Sequence, residues 1–323
     1  MRKFSTILAA AAVATTAAVL GRGASADVDP QLPAYQTVPG VSGSIKGVGS
    51  DTLLNLMSFW NEGFGGLYPN FKADYEGKGS GTAPTALISG SSNLGPMSRE
   101  MKAEEIAAFE KKYGYKPTAI RVALDALAIF VSKDNPIKSL TLAQADAIFS
   151  STRKGGAPAD ITTWGQLGLT GEWANLPISL YGRNSASGTN SYFKEHVLSK
   201  GDYKTTVKEQ PGSGSVVQSV AGDRGGIGYS GMGYLTAGVR AVPIVGKDGQ
   251  PYEAKDENVY NGKYSISRPL FVYVNKAPGQ PLSPVIKEWL LYVLSKEGQE
   301  VTKKDHFVPL PATVVAEERA KLN

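Results

Sequence analysis

Apolar positions after residue 43 follow two spacings in turn, one typical of strands and one typical of helices. The run Lys46-Gly47-Val48 is β-like, and Leu53, Met57, Trp60 and Phe64 then follow at intervals that place them on one face of a helix. The same alternation predicts a strand at 71–75, a helix at 82–89 and a helix around 106–113. Alternating strands and helices indicate an α/β protein, and we expect its sheets to be mostly parallel.

Two β-rich stretches, 119–132 and 265–275, are predicted to be the places where the chain passes between two lobes. The segment between them has strands and helices of its own. A lobe joined to its neighbour by two crossings is the layout that hinge closure around a ligand requires. A last helix, expected around 285–294, would pack back on the first lobe. The predicted division is 43–124 for the first part of lobe one, 125–264 for lobe two and 265–323 for the return to lobe one.

The first 26 residues have the pattern of a signal peptide. Arg2 and Lys3 precede an apolar run at 4–20, and Ala24-Ser25-Ala26 supplies the small residues of a cleavage site. A transmembrane anchor is the alternative, but the run is barely long enough to span a bilayer and ends in the cleavage pattern. We therefore expect a periplasmic or secreted protein that is cut near Ala26-Asp27, with 27–42 as an extended lead-in.

The composition excludes several classes of protein. The chain has no cysteine, so its stability must come from a packed core, and thiolate nucleophiles and zinc–sulfur sites are ruled out. Loss of Arg2, Lys3 and Arg22 with the signal peptide lowers the formal net charge from +5 to +2, which gives no reason to expect a nucleic-acid partner. His196 and His306 are the only histidines. We expect no metal or other cofactor.

Enzyme motifs are missing from the sequence as well. It contains neither a G-x-S-x-G nucleophile turn nor a G-x-x-x-x-G-K-[ST] phosphate loop. The pairs Glu104-Glu105 and Glu317-Glu318 lie on helical stretches, where neighbouring side chains point apart, so we interpret them as solvated residues and not as acid/base pairs. The chain is predicted not to be an enzyme.

Three segments, 47–52, 77–82 and 183–189, share a strand, a turn rich in Gly, Ser and Thr, and a following helix. The start of a helix leaves backbone N–H groups unpaired and carries partial positive charge, and hydroxyl groups add further donors. Three such turns in one chain suggest a shared pocket for a dehydrated oxyanion, whose lone pairs need many donors. For any single turn, an ordinary helix cap is the alternative. We interpret a fourth turn, 212–215, as a cap with at most a minor role in the pocket.

Arg183 makes the third turn the most informative of these segments. It stands four residues before Ser187-Gly188-Thr189. A guanidinium group at this place can donate paired, charge-assisted hydrogen bonds to a phosphate-like anion. A surface salt bridge is the alternative interpretation.

The element Arg183-x-x-x-Ser187-Gly188-Thr189, with a β-run before it and a helix containing Tyr and Phe after it, resembles the phosphate-binding proteins of ABC phosphate importers, the PstS type. The resemblance extends over nearly the whole chain after the signal peptide, including 47–49, 75–81 and 225–229. It implies a type II periplasmic binding protein fold, whose closed form docks on an ABC permease in the membrane. It further implies that Arg183, Ser187, Gly188 and Thr189 bind the anion from the second lobe and Ser80 from the first.

Two positions depart from the family pattern. Asp51 stands where many relatives have Thr, and Ser98 stands where many have Asp. Phosphate near neutral pH keeps a proton that it can donate to a carboxylate, whereas sulfate cannot, so a carboxylate in the pocket disfavours sulfate. We hypothesise that Asp51 has this role, with Ser98 as a donor; the alternative is that Asp51 caps a helix beginning at Thr52. Arg99 is expected either to add positive charge near the pocket or to pair with Asp51.

The sequence therefore predicts a monomeric solute-binding protein that clamps inorganic phosphate between two lobes. Its other expected partner is the permease, which would be its only link to the membrane. An extracellular adhesion protein that kept this fold and, less favoured, a phosphoester hydrolase are the alternatives. The predicted anion ligands are Ser50, Asp51, Thr52, Ser80, Gly81 and Ser98 from lobe one and Arg183, Ser187, Gly188 and Thr189 from lobe two.

Overall fold

The computed structural model describes residues 28–323, so the predicted signal peptide lies outside the described residues. Eleven strands occur in the described part of the chain. They are β1 (Gly43–Val48), β2 (Phe71–Glu76), β3 (Gly95–Met97), β4 (Thr118–Ser132), β5 (Ser179–Arg183), β6 (Lys208–Gln210), β7 (Gly226–Gly231), β8 (Val239–Ala241), β9 (Ile244–Val245), β10 (Pro251–Tyr252) and β11 (Ser267–Val274).

Ten α-helices accompany these strands between residues 28 and 323. They are α1 (Leu54–Leu67), α2 (Ala83–Ser89), α3 (Ala103–Tyr113), α4 (Leu142–Phe149), α5 (Gly188–His196), α6 (Ser213–Ala221), α7 (Asp256–Tyr260), α8 (Pro284–Val293), α9 (Lys296–Lys304) and α10 (Ala312–Ala320). None of the described helices is long and apolar enough to cross a membrane.

The sheets are mixed, so the expectation of mostly parallel sheets was wrong. A seven-stranded sheet has the order β3-β11-β4-β7-β5-β6, with β8 also paired to β4. The long strand β4 runs antiparallel to β11, β7 and β8, whereas the pairs β1–β2, β5–β6 and β5–β7 are parallel. The reason is that the chain passes through β4 in one direction and returns beside it through β11 in the other, and β7 and β8 also run against β4.

Strand β4 connects two separate hydrophobic clusters. It has 15 residues, which corresponds to a length of roughly 50 Å. Ile120 and Val122, near its start, belong to a cluster with α1 and α8, whereas Ile129 and Val131 belong to a cluster with α4 and α5. Leu124 packs against both clusters, close to the predicted boundary between lobes. On the return, Ile266, just before β11, packs with the second cluster, and Leu270 of β11 packs with the first.

The predicted helical face of α1 is confirmed. Met57, Trp60 and Phe64 are buried on α1, and Leu53 is buried just before it. Trp60 meets Trp289 of α8 edge to face, with the ring centres 6.1 Å apart. This aromatic contact fixes α1, and therefore the turn that precedes it, against the core of the first lobe.

The C-terminal end differs from the prediction in one respect. Helix α8 matches the helix expected around 285–294, but α9 and α10 follow it, so it is not the last helix. The sequences of α9 and α10 have few apolar residues at helical spacing, so the apolar pattern did not predict these helices. A helix cap stabilises the start of α9, where Ser295 Oγ accepts a hydrogen bond from the Gly298 N–H. Glu318 of α10 is fully buried and pairs with Arg121, so interpreting it as a solvated residue was wrong.

The lead-in from residue 28 to residue 42 has no regular secondary structure but is packed against the first cluster. Leu32 and Val41 are buried there. The hydroxyl of Tyr35 donates a hydrogen bond to Glu288 at 3.0 Å and lies 2.7 Å from the hydroxyl of Tyr68. These contacts tie the start of the described chain to the first lobe.

Candidate functional site

Three serine hydroxyls from separate turns meet in the interior of the first lobe. Ser50 follows β1, Ser80 opens the short turn before α2, and Ser98 follows β3. The Ser50 hydroxyl donates to Ser98 Oγ at 3.0 Å, and Ser80 Oγ lies 3.2 Å from Ser98 Oγ. The backbone N–H of Ser98 also donates to Ser80 Oγ at 3.0 Å. All three side chains are almost completely buried, so the structure brings these predicted ligands together.

Residues of the second lobe reach the same place through the start of α5. Thr189 Oγ1 lies 2.8 Å from Thr52 Oγ1, and the N–H of Gly81 donates to the carbonyl of Ala186 at 3.0 Å. A Cβ atom on Gly188 would lie 2.3 Å from Ser80 Oγ, which is far too close. Glycine is therefore needed at position 188 so that the helix start can approach the hydroxyls of the other lobe.

Ser187 caps helix α5. Its Oγ accepts hydrogen bonds from the N–H groups of Thr189 and Asn190, at 3.1 and 3.3 Å. The alternative interpretation of this turn, an ordinary helix cap, is therefore correct for the Ser187 oxygen. A hydroxyl that accepts two bonds still has its own proton to donate, so capping does not remove Ser187 from the set of candidate ligands.

Arg183 is buried and is not a surface residue. Its side chain is 1% exposed, and it ends strand β5 at the cleft. Nη1 lies 3.0 Å from Asp51 Oδ2 and donates to Ser213 Oγ at 2.6 Å, while Nη2 donates to the Pro211 carbonyl at 3.1 Å. Burial lowers the pKa of Arg183, and the charge of Asp51 acts in the opposite direction. Nε is buried and has no hydrogen-bond partner among residues 28–323.

Asp51 connects the two lobes and does not cap a helix. The structure shows no side-chain capping bond at the start of the 3-10 turn Asp51–Leu53 or at the start of α1. Instead, Oδ2 accepts from the Ser213 N–H at 2.7 Å in addition to its ion pair with Arg183, and the Asp51 carbonyl accepts from the Tyr234 hydroxyl at 2.6 Å. Every partner of Asp51 in this set comes from the second lobe.

Arg99 does not pair with Asp51. Its Nη1 and Nη2 donate to the two carboxylate oxygens of Glu105, each at 2.7 Å. This two-bond contact with Glu105 of α3 gives the charge of Arg99 a partner outside the cluster of predicted ligands. It also shows why Glu105 is not simply a solvated residue.

Sequence comparison identifies the family. The chain is 56% identical over 308 residues to the phosphate-binding protein PstS of Pseudomonas aeruginosa, covering 95% of each chain. The chain belongs to the PstS family of phosphate-binding proteins. The model of the PBP superfamily domain matches residues 34–297. Protein SphX of Synechococcus elongatus is 30% identical over 82% of this chain and 77% of that protein.

Solved structures agree with this PstS assignment. A protein from Clostridium perfringens, solved with bound phosphate, is 29% identical and superimposes with a TM-score of 0.70 over 83% of this chain and all of that chain. An ABC-type phosphate transport receptor from Vibrio cholerae is 20% identical with a TM-score of 0.62, covering 82% of this chain and 100% of that one, and supports the fold alone. The predicted two-lobed, type II binding-protein fold is confirmed.

Sequence reasoning missed several buried residues that contact the predicted ligands of this PstS-family protein. Ser213 was assigned to a turn of minor importance, yet it touches both Arg183 and Asp51. Asp125 and Arg268 were not singled out at all. They form a fully buried ion pair inside two apolar strand patterns, with Nη2 2.8 Å from Oδ2. Charged residues within these apolar runs were the available signal, because a buried charge requires a partner.

Proposed function

We propose that this chain captures inorganic phosphate between its two lobes and delivers it to an ABC permease. The observation that carries the proposal is the convergence of buried donors from both lobes at one point, with Ser80 and Ser98 on one side and Arg183 and Thr189 on the other. A tetrahedral oxyanion bound there would contact both lobes, so closure is favoured when the anion is present. Relatives in the PstS family are named for phosphate binding and not for a reaction, in agreement with the predicted non-enzymatic role.

The proposal also covers the boundaries of the lobes, the oligomeric state and export of the chain, and the ligand residues. We take 43–124 and 265–323 as lobe one, 125–264 as lobe two, and the crossings through β4 and β11 as the hinge. We propose a monomer that is exported after cleavage near Ala26-Asp27. The proposed ligands are Ser50, Asp51, Thr52, Ser80, Ser98, Arg183, Ser187, Gly188 and Thr189, with Ser213 as an addition that the geometry suggests. Gly81 is taken out of the predicted set, because its N–H, the only donor it has, is bonded to the Ala186 carbonyl.

Asp51 is proposed to select phosphate over sulfate. Both side-chain contacts of Asp51 use Oδ2, which leaves Oδ1 to accept the proton of a hydrogen phosphate ion. A sulfate ion in the same place would set two negative groups against each other without a proton between them. Specificity then arises because the wrong anion leaves a buried charge unpaired.

Calorimetric titration of the mature chain with phosphate, sulfate and a phosphomonoester tests the proposal. We expect phosphate to bind with one site per chain, sulfate to bind much more weakly, and the ester to release no phosphate. Arg183→Gln should weaken phosphate binding by about 2–5 kcal/mol, because it removes a buried charged donor. Arg240→Gln is the matched control, since Arg240 also lies in the second lobe but donates to the Asn135 carbonyl away from the site.

Each alternative has its own signature in these titrations. Absence of phosphate binding by the unmodified chain would overturn the proposal and favour an adhesion role. Release of phosphate from the ester would favour a hydrolase. Equal effects of the Arg183 and Arg240 substitutions on phosphate affinity would remove Arg183 from the site.

A further inference from the structure

A second guanidinium group reaches the site from the hinge. Arg268 lies on β11, is 2% exposed, and donates from Nη2 to Thr189 Oγ1 at 2.8 Å. Thr189 in turn contacts Thr52 across the cleft at 2.8 Å. A chain of direct contacts therefore runs from the hinge strand to the residues where the two lobes meet.

Asp125 holds Arg268 in this position. The two residues lie directly opposite each other in the pairing of β4 with β11. Nε and Nη2 of Arg268 lie 3.1 and 2.8 Å from Asp125 Oδ2, and the aspartate is fully buried. Because one residue of the pair stands on each crossing strand, the position of the guanidinium group is set by the hinge and not by either lobe alone.

Two arginines at this site each have a nitrogen that is buried without a partner. Nη1 of Arg268 and Nε of Arg183 make no hydrogen bond within the described residues, 28–323. Leaving a charged N–H buried and unpaired is costly, so such groups normally have a ligand or a counter-charge. Burial and, to a smaller extent, the positive charge of Arg268 lower the pKa of Arg183, which indicates that the two cations act on one another.

We propose that Arg268 is a second guanidinium ligand of the bound anion, donating through Nη1, and that Asp125 is its positioning residue. This inference rests on the phosphate-binding function proposed above. A tetrahedral oxyanion has four oxygens, so it can accept from Arg183 on one side and from Arg268 on the other. The negative charge of the anion also offsets the repulsion between these two cations, which lowers the pKa of Arg183.

Phosphate affinities of Arg268→Gln and Arg268→Lys test the assignment. Arg268→Gln should weaken phosphate binding about 10- to 100-fold, since it removes a charged donor from a buried site. Arg268→Lys keeps the charge but not the fork of donors, so we expect an intermediate loss. The matched control is Arg121→Gln, which removes another arginine of a crossing strand, paired with Glu318 and remote from the anion ligands; its phosphate affinity should stay within about 2-fold of the unmodified chain.

A double-mutant cycle separates positioning by Asp125 from a general structural role. Asp125→Asn alone should weaken phosphate binding because Arg268 loses its orientation. In the double variant with Arg268→Gln, the loss should equal that of Arg268→Gln alone, since no guanidinium remains to be positioned. Denaturant unfolding without phosphate, measured on each variant, shows whether stability and affinity change independently.

Failure of this inference can be told apart from failure of the proposed function. If the unmodified chain binds no phosphate, the proposed function is wrong. If it binds phosphate and Arg268→Gln binds equally well, Arg268 is not a ligand. Should Arg268→Gln not fold, a folded Arg268→Lys variant with unchanged affinity overturns the proposal just as clearly, and losses that simply add in the double variant overturn the role of Asp125.

Discussion

Asp51→Asn separates the two roles that the Asp51 carboxylate can have. Asparagine keeps an oxygen that can accept from the Ser213 N–H, but it removes the negative charge beside Arg183, whose side chain is 1% exposed. Phosphate loses its charged proton acceptor, which costs ~1.5–3 kcal/mol, whereas sulfate no longer meets a repelling carboxylate. The first effect alone lowers the ratio of phosphate to sulfate affinity by roughly 10- to 150-fold.

Competition calorimetry with both anions at one pH near 7.5 measures that ratio directly. Absolute affinities are less informative, because freeing Arg183 from its ion pair strengthens the binding of every anion. Asp74→Asn is the matched control, since Asp74 lies on the same lobe with a side chain that is 67% exposed. An Asp51→Asn variant that keeps the full preference for phosphate would refute the selectivity argument and leave Asp51 as a contact between lobes only.

Three further substitutions have expected outcomes. Gly188→Ala should lower phosphate affinity more than 100-fold, because its Cβ would lie 2.3 Å from Ser80 Oγ and the resulting overpacking costs ~3 kcal/mol. Calorimetry measures the affinity, and denaturant unfolding checks that the variant still folds. Burial raises the pKa of Asp305 to about 7, so the folded state binds the Asp305 proton more tightly than the unfolded state does. Urea unfolding should therefore show a free energy of unfolding that falls as pH rises from about 4 to 7, and Asp305→Asn should reduce that fall. Glu318→Gln should lower the free energy of unfolding by about 1–3 kcal/mol, because it weakens the charged hydrogen bonds from Arg121 and Lys321, with unchanged phosphate affinity.

Local patterns in the sequence were enough for elements whose burial follows a regular period. The apolar stripe of α1 predicts the helix because Met57, Trp60 and Phe64 all face one core. The turns before α1, α2 and α5 were recognisable because Gly, Ser and Thr at a helix start have a defined physical use. Strand direction was not recognisable, since alternation of strands and helices does not tell whether two paired strands run parallel.

Contacts that depend on register could not be obtained from one sequence. Asp125 and Arg268 are 143 positions apart, and only the pairing of β4 with β11 puts them side by side. Glu318 looks like any exposed helical acid until α10 is placed on Arg121. Ser213 resembled an ordinary helix start because its importance comes from Arg183 and Asp51, which reach it from elsewhere in the fold.

In the proposed mechanism, closure of the lobes and selectivity for the anion arise from one free-energy difference. Direct bonds between the lobes, such as Thr52 to Thr189 and Asp51 to Ser213, replace bonds to water, so each contributes only about 1 kcal/mol. Burying Arg183 costs several kcal/mol unless its N–H groups and its charge find partners. Asp51, Ser213 and the Pro211 carbonyl supply most of them, but Nε has no partner among residues 28–323. In the proposed complex, the anion supplies the partner for this Nε. An ion that satisfies both the donors of Arg183 and the acceptor on Asp51 therefore shifts the population toward the closed form, and an ion that satisfies only the donors shifts it less.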